Sequence, residues 1–194
     1  MQEYLTDKEP LFSVESNETD AYLENNAIHR AIADRLIEKN VLVFHGSALC
    51  MDGSAYIFVA KSGTGKSTHA RLWRELYGDH VWMINDDKPM VRIDEDCIMV
   101  YGTPWNGKHG LGNNSSAPLK AIVELEQSEK NRIVPIDHVE SLLVLLKYAY
   151  TSKDSTVMEK LMNIERYLLE NVGFYKLSCN MELDAARIAK EGIN

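Results

Sequence analysis

The 194-residue chain has the length of one domain, and its 45% apolar content is enough to build a core flanked by both sheet and helix. With 29 acidic against 21 basic residues, a formal net charge of -8 argues against nucleic acid or an anionic membrane as a partner, since both need clustered Lys and Arg. No apolar run reaches the length of a membrane span and the polar, acidic Met1 to Pro10 lacks a signal-peptide pattern, so a soluble cytoplasmic protein is expected.

Residues 1–26 read as an N-terminal arm or edge strand, with one apolar patch, Leu11-Phe12-Ser13-Val14, in an acidic surround. A single domain is expected over 27–194. From Ala27, the residues Ile28, Ala31, Ile32, Leu36 and Ile37 recur at helical spacing, and Lys39-Asn40 supplies a C-terminal stop in which Asn tolerates a left-handed cap. Val41 to His45 is a β-branched apolar run. The Asp52-Gly53 turn signal then precedes the strand Ala55 to Val59, so that a hairpin feeds the segment that follows.

That segment is Ala60-Lys61-Ser62-Gly63-Thr64-Gly65-Lys66-Ser67-Thr68. It has the spacing of a Walker A phosphate-binding loop, with Ala60 where the first Gly normally stands, so the chain must enter with a negative φ at Ala60. Backbone N–H groups from Ser62 to Thr68 would face phosphates of ATP or another nucleoside triphosphate, Lys66 would reach the β and γ oxygens, and Ser67 would ligate Mg²⁺. Ala70, Leu72, Trp73 and Leu76 predict a helix running to Tyr77, stopped by Gly78.

Val81 to Ile84 reads as a buried strand ending at Asn85-Asp86-Asp87, the position where a carboxylate would help to hold Mg²⁺. Two roles suit the pair: one acid on the metal side, the other taking a proton from an attacking hydroxyl. Two short antiparallel strands follow around Asp94-Glu95-Asp96, and 102–118 is a long loop rich in Gly, Asn and Pro, a substrate or phosphate loop by its composition. Lys88, Arg92, Lys108 and His109 are candidates to neutralise charge on a transferred phosphoryl group, with Asn106 in the same loop. Trp105 suits a base stack, a peptide groove or a core anchor. His45, before the permissive Gly46, has the spacing either of a structural histidine or of one near the loop.

Leu119 to Leu125 and Arg132 to Val134 predict a second hairpin. Asp137 with Glu140 makes a capping-box start for a helix whose Leu142, Leu143, Leu145 and Leu146 are expected in the core. Helices over Ser155 to Glu170 and Leu183 to Lys190 flank a strand at Phe174 to Leu177. Cys50, Cys97 and Cys179 are scattered without a CxxC pair, suggesting neither a zinc site nor a disulfide framework.

Taken together, His45-Gly46, the hairpin, Ser62 to Ser67 and Asp86-Asp87 at a strand end resemble the catalytic domain of HPr kinase/phosphorylase. The resemblance spans roughly 41–134. It implies an α/β P-loop nucleotide-binding domain of the HPr kinase and phosphoenolpyruvate carboxykinase type, a mixed sheet with flanking helices. It further implies Asp87 as the base that activates a substrate serine, Asp86 as the metal-side acid, His45 as a phosphate-site residue, and an oligomer, at least a dimer. Tyr101 to Lys108 and Leu119 to Glu126 look more like the smaller HPr-kinase-related proteins, some linked to modification of ribosomal peptides. The function expected is an ATP- and Mg²⁺-dependent kinase acting on a serine of a small protein, peptide or metabolite; the alternative is a nucleotide-sensing module with little turnover.

Overall fold

The structure, a computed structural model, describes residues 20–94, 97–107 and 110–193. The apolar patch at Leu11 to Val14 therefore lies outside the described residues, as do Lys108 and His109. Helix α1 spans Asp20–Ile37, beginning earlier than the apolar spacing suggested and absorbing the end of the expected arm. Its buried stripe is His29, Ala33 and Ile37, one residue per turn, while Ile28 stays exposed. Asn40 closes it at φ 57, the left-handed conformation its side chain tolerates.

Among the described residues nine strands follow in one curled mixed sheet: β1 Val41–Val43, β2 Ser47–Met51, β3 Ser54–Val59, β4 Val81–Asn85, β5 Met90–Asp94, β6 Cys97–Tyr101, β7 Ser116–Gln127, β8 Arg132–Pro135 and β9 Gly173–Cys179. The helices are α2 Lys66–Tyr77, α3 His138–Tyr148, α4 Met158–Asn171 and α5 Leu183–Gly192. The main path of the sheet runs β1-β5-β6-β7-β3-β2-β4, with β9 pairing β7 and β8 pairing β9.

The expected first hairpin forms, but from β2 and β3 rather than from 41–45: Met51 pairs Ser54 across Asp52 and Gly53, at φ 48 and 78. Positive φ at both central residues is what a tight turn between right-twisted strands needs. On its other edge β3 pairs β7 in parallel, Ile57 opposite Ile122. Both faces of β3 are covered, which explains its unbroken apolar sequence: Ile57 and Val59 belong to one core cluster, Tyr56 and Phe58 to the other.

Two expectations are corrected. β7 and β8 do not form a hairpin; β9 lies between them, parallel to β7 and antiparallel to β8, because the chain returns through α3 and α4 and completes both ladders. In α3, only Leu145 of the four expected leucines is in the core; Leu142, Leu143 and Leu146 are 37%, 52% and 37% exposed. The inward stripe is Ser141, Val144, Leu145 and Tyr148, and a helix apolar on more than one face does not declare in sequence which face turns inward. Its capping signal does hold, with Glu140 N–H donating to Asp137 Oδ1 at 2.9 Å.

The feature that positions the site is a crossing. The links β1 to β2 and β4 to β5 run side by side: Phe44 N–H donates to Pro89 O and Gly46 N–H to Asp87 O, both at 3.0 Å. On the other flank, His45 N–H donates to Tyr148 O at 2.7 Å and Tyr150 N–H to Val43 O at 2.7 Å. His45 and Asp87 are thereby brought to one place from positions far apart in the chain.

Candidate active site

The glycine-rich loop turns between the buried end of β3 and the start of α2. Gly63 and Gly65 sit at φ 78 and 118, conformations that L side chains rarely adopt. Ala60 is not among the residues of positive φ, so the chain enters the loop in ordinary backbone, as its side chain requires. Gly65 stands at the N-cap of α2 with no side-chain capping bond, which leaves the first N–H groups of the helix available to an anion. Lys66 Nζ donates to Ala60 O at 3.0 Å across the mouth of the loop. Burial pushes its ammonium below the usual lysine value, against the attraction of Asp87, with Lys88 adding to the fall.

Asp87 and Lys88 complete a cluster with Lys66 and His45. The Asp87 Oδ1 atom lies 3.6 Å from His45 Nε2 and 3.9 Å from Lys88 Nζ. Burial raises the Asp87 carboxyl above its ordinary range, partly offset by Lys88 and Lys66. Burial likewise lowers Lys88, which Asp87 opposes, and takes His45 down to about 3, with Lys88 and Lys66 acting in the same direction. The His45 ring is neutral at physiological pH, so its contact with Asp87 joins an imidazole and a carboxylate rather than an ion pair.

Asp86, only 5% exposed, points differently from its neighbour. Its Oδ1 accepts from Gly107 N–H at 2.6 Å, while its Oδ2 is buried with no hydrogen-bond partner among the described residues. Gly107 permits that approach, since an added Cβ would stand 3.2 Å from both the Asp86 carbonyl and Oδ2. A buried carboxylate oxygen left open has the donor chemistry that Mg²⁺ takes, and Ser67, exposed on the first turn of α2, offers a hydroxyl of the same kind. Among the described residues no group of three or more His, Cys, Asp or Glu forms a metal cluster.

Asn85 organises the acid turn, and sequence reading gave it only as the first residue of the run that ends the strand. Fully buried, it accepts from Asp87 N–H at 2.9 Å and Lys88 N–H at 2.7 Å through Oδ1. Its Nδ2 donates to Thr103 O and Thr103 Oγ1, both at 3.1 Å, and to Asn106 Oδ1 at 3.0 Å. Thr103 Oγ1 in turn donates to Lys88 O at 2.8 Å. Asn106 thus holds the long loop to the acid turn. No local pattern signals this, because every partner outside the turn comes from a loop distant in sequence.

The other loop candidates go elsewhere. Trp105 docks on α1, its Nε1–H donating to Asn25 Oδ1 at 3.1 Å and its ring meeting His29 edge-on at 4.8 Å. Arg92, exposed on β5, pairs with Asp94 at 2.8 Å. No described helix is long and apolar enough to cross a membrane.

No family model matches the chain, and no curated protein matches it. Among solved structures the chain is similar to the Hpr(Ser) kinase/phosphatase from Coxiella burnetii, at 11% identity over 77% of this chain and 94% of that one, with a TM-score of 0.43, a distant structural relation.

Proposed function

We propose that the protein is an ATP- and Mg²⁺-dependent serine kinase of the HPr-kinase-like type, transferring a γ-phosphoryl group to a hydroxyl of a small protein, peptide or metabolite. The observation that carries this reading is the gathering of Asp87, His45 and Lys88 beside Lys66 of the glycine-rich loop. A module that only bound nucleotide would need the loop and its lysine but not a half-buried carboxylate whose basicity partial burial has raised.

In the reaction, Asp87 accepts the proton of the serine hydroxyl as its oxygen bonds to the γ-phosphorus; the bond from that phosphorus to the β,γ-bridging oxygen breaks, and ADP leaves. Lys66 and Lys88 offset charge on the transferred group. His45 walls Asp87 on one side. Asp86 through Oδ2 and Ser67 through its hydroxyl would hold Mg²⁺, which supplies further neutralisation of phosphate charge.

The test is transfer of label from γ-labelled ATP to small proteins and extracts of the source cells. Wild type should label an acceptor, Asp87→Asn should lower the rate by about 10² to 10⁴ while still binding nucleotide, and Lys66→Ala should lose binding as well. Tight nucleotide binding by wild type with no label moved to any acceptor would replace the kinase reading by nucleotide sensing.

A further inference from the structure

A cleft of about 460 Å³ opens beside the glycine-rich loop, on walls drawn from α2, the end of β7 and the residues after β9. Thr64, Gly65 and Thr68 line one end of it, so the loop and the cleft are continuous. Gln127, at the end of β7, lines the cleft and ties it to the loop, its Nε2–H donating to Thr64 O at 3.2 Å. Leu72, Leu125 and Met181 make its walls largely apolar.

One buried polar group interrupts those walls. His69 lines the cleft at 2% exposure, and the Trp73 indole N–H donates to its Nε2 at 2.9 Å. An indole nitrogen can only donate, so Nε2 carries the lone pair and, in the neutral ring, Nδ1 carries the proton. That Nδ1–H is buried and has no acceptor among the described residues. The ring cannot readily turn to find one, because Phe58 stands edge-on to it at 4.7 Å while Trp73 holds its other nitrogen. A fixed donor without an acceptor is a group a ligand can satisfy, and leaving it unmade is costly.

We infer that His69 is a specificity residue for the nucleoside end of the nucleotide: its Nδ1–H donates to an in-plane ring nitrogen or carbonyl of the base, which lies between the apolar walls of the cleft. The inference rests on the phosphate-binding reading of the loop above. A ligand whose phosphates occupy the N-terminus of α2 leads past Thr68 into this space. A flat heteroaromatic ring with in-plane lone pairs is the chemistry that a largely apolar slot with a buried, oriented donor selects. Trp73 acts through His69, as the residue that fixes which nitrogen bears the proton.

The experiment is calorimetric binding of ATP, GTP and inorganic tripolyphosphate, with Mg²⁺, to wild type, His69→Gln and Met181→Ala. Gln can place its amide oxygen where Nε2 stands, keeping the Trp73 bond while removing the Nδ1–H. The expected result is that the better-bound nucleotide exceeds tripolyphosphate by at least about tenfold in wild type, and that His69→Gln loses about tenfold for nucleotide with tripolyphosphate unchanged. Met181, 76% exposed at the rim, can be cut back without disturbing the core, and Met181→Ala should weaken nucleotide about threefold and tripolyphosphate not at all. Nucleotide bound no tighter than tripolyphosphate, or both ligands weakened equally by either variant, overturns the inference while leaving the loop reading intact. Failure of wild type to bind either ligand overturns the loop reading itself, and this inference with it.

Discussion

His45 Nε2 stands 3.6 Å from Asp87 Oδ1, and the backbone of the next residue, Gly46, donates to the carbonyl of the same aspartate at 3.0 Å. Side chain and main chain together lock two links of the sheet into one corner. In His45→Ala the carboxylate, already 33% exposed, loses its neutral wall and is opened further to water. The expected outcome is a fall in kcat of about tenfold or more with nucleotide affinity nearly unchanged, checked by steady-state kinetics and separate binding measurements.

Gly46 itself has no room for a side chain. A Cβ there would stand 2.8 Å from the Phe58 backbone oxygen and 3.1 Å from Ile57 Cγ2, and neither is a flexible end that could give way. Gly46→Ala should cost about 1 to 3 kcal/mol by urea denaturation, as overpacking of a dense core does. Transfer activity should fall with it, since relief of the clash moves Gly46 away from Asp87.

Asn85 is a positioning residue rather than a catalytic one. Asn85→Ala leaves Asp87 N–H and Lys88 N–H without their acceptor and removes the donor to Thr103 and Asn106, with Thr103 still tied to the turn through Lys88 O. A loss of about 1 to 3 kcal/mol in stability is expected from the buried groups left unsatisfied. Asn85→Asp, which keeps the acceptor and loses the donor, should recover part of that stability but bring a third carboxylate to the turn. Urea denaturation of the two variants side by side distinguishes these effects.

His29 gives the fold a pH dependence. Burial lowers its imidazole to about 4 in the folded chain, with Lys88 and Arg30 acting in the same direction, against an ordinary value of 6.5. Below 6.5 the unfolded chain takes up a proton that the folded chain refuses, so stability is full above that pH and falls as the pH drops toward 4. Between pH 7 and pH 5 the loss from this group is about 2 kcal/mol. Denaturation at the two pH values should show it, and His29→Gln should lose about that much less; an equal drop in the variant would show that His29 is not the group responsible.

Much of the fold was legible because it is written locally. The Asp52-Gly53 turn, the Asn40 stop, the Asp137 cap and the order strand, glycine-rich loop, helix each depend on backbone preferences within a few residues. The partner of β8 was not legible, since β9 arrives only after α3 and α4 and any strand with fitting alternation can complete that edge. Nor was the inward face of α3, whose apolar residues occupy more than one stripe.

For the site, sequence alone determined the glycine-rich loop and the acid pair at the end of a strand. Each is a contiguous run whose residue types and spacing carry their own chemistry. Tertiary structure decided the rest: that His45 meets Asp87, that Asn85 binds a loop eighteen residues further on, that Trp105 rests on α1, and that His69 lines a cleft with one nitrogen held by Trp73. These depend on which strands become neighbours and which side chains share a buried space. Such outcomes follow from closing the whole sheet around two cores, where hydrogen-bond satisfaction and packing are settled between segments distant in the chain.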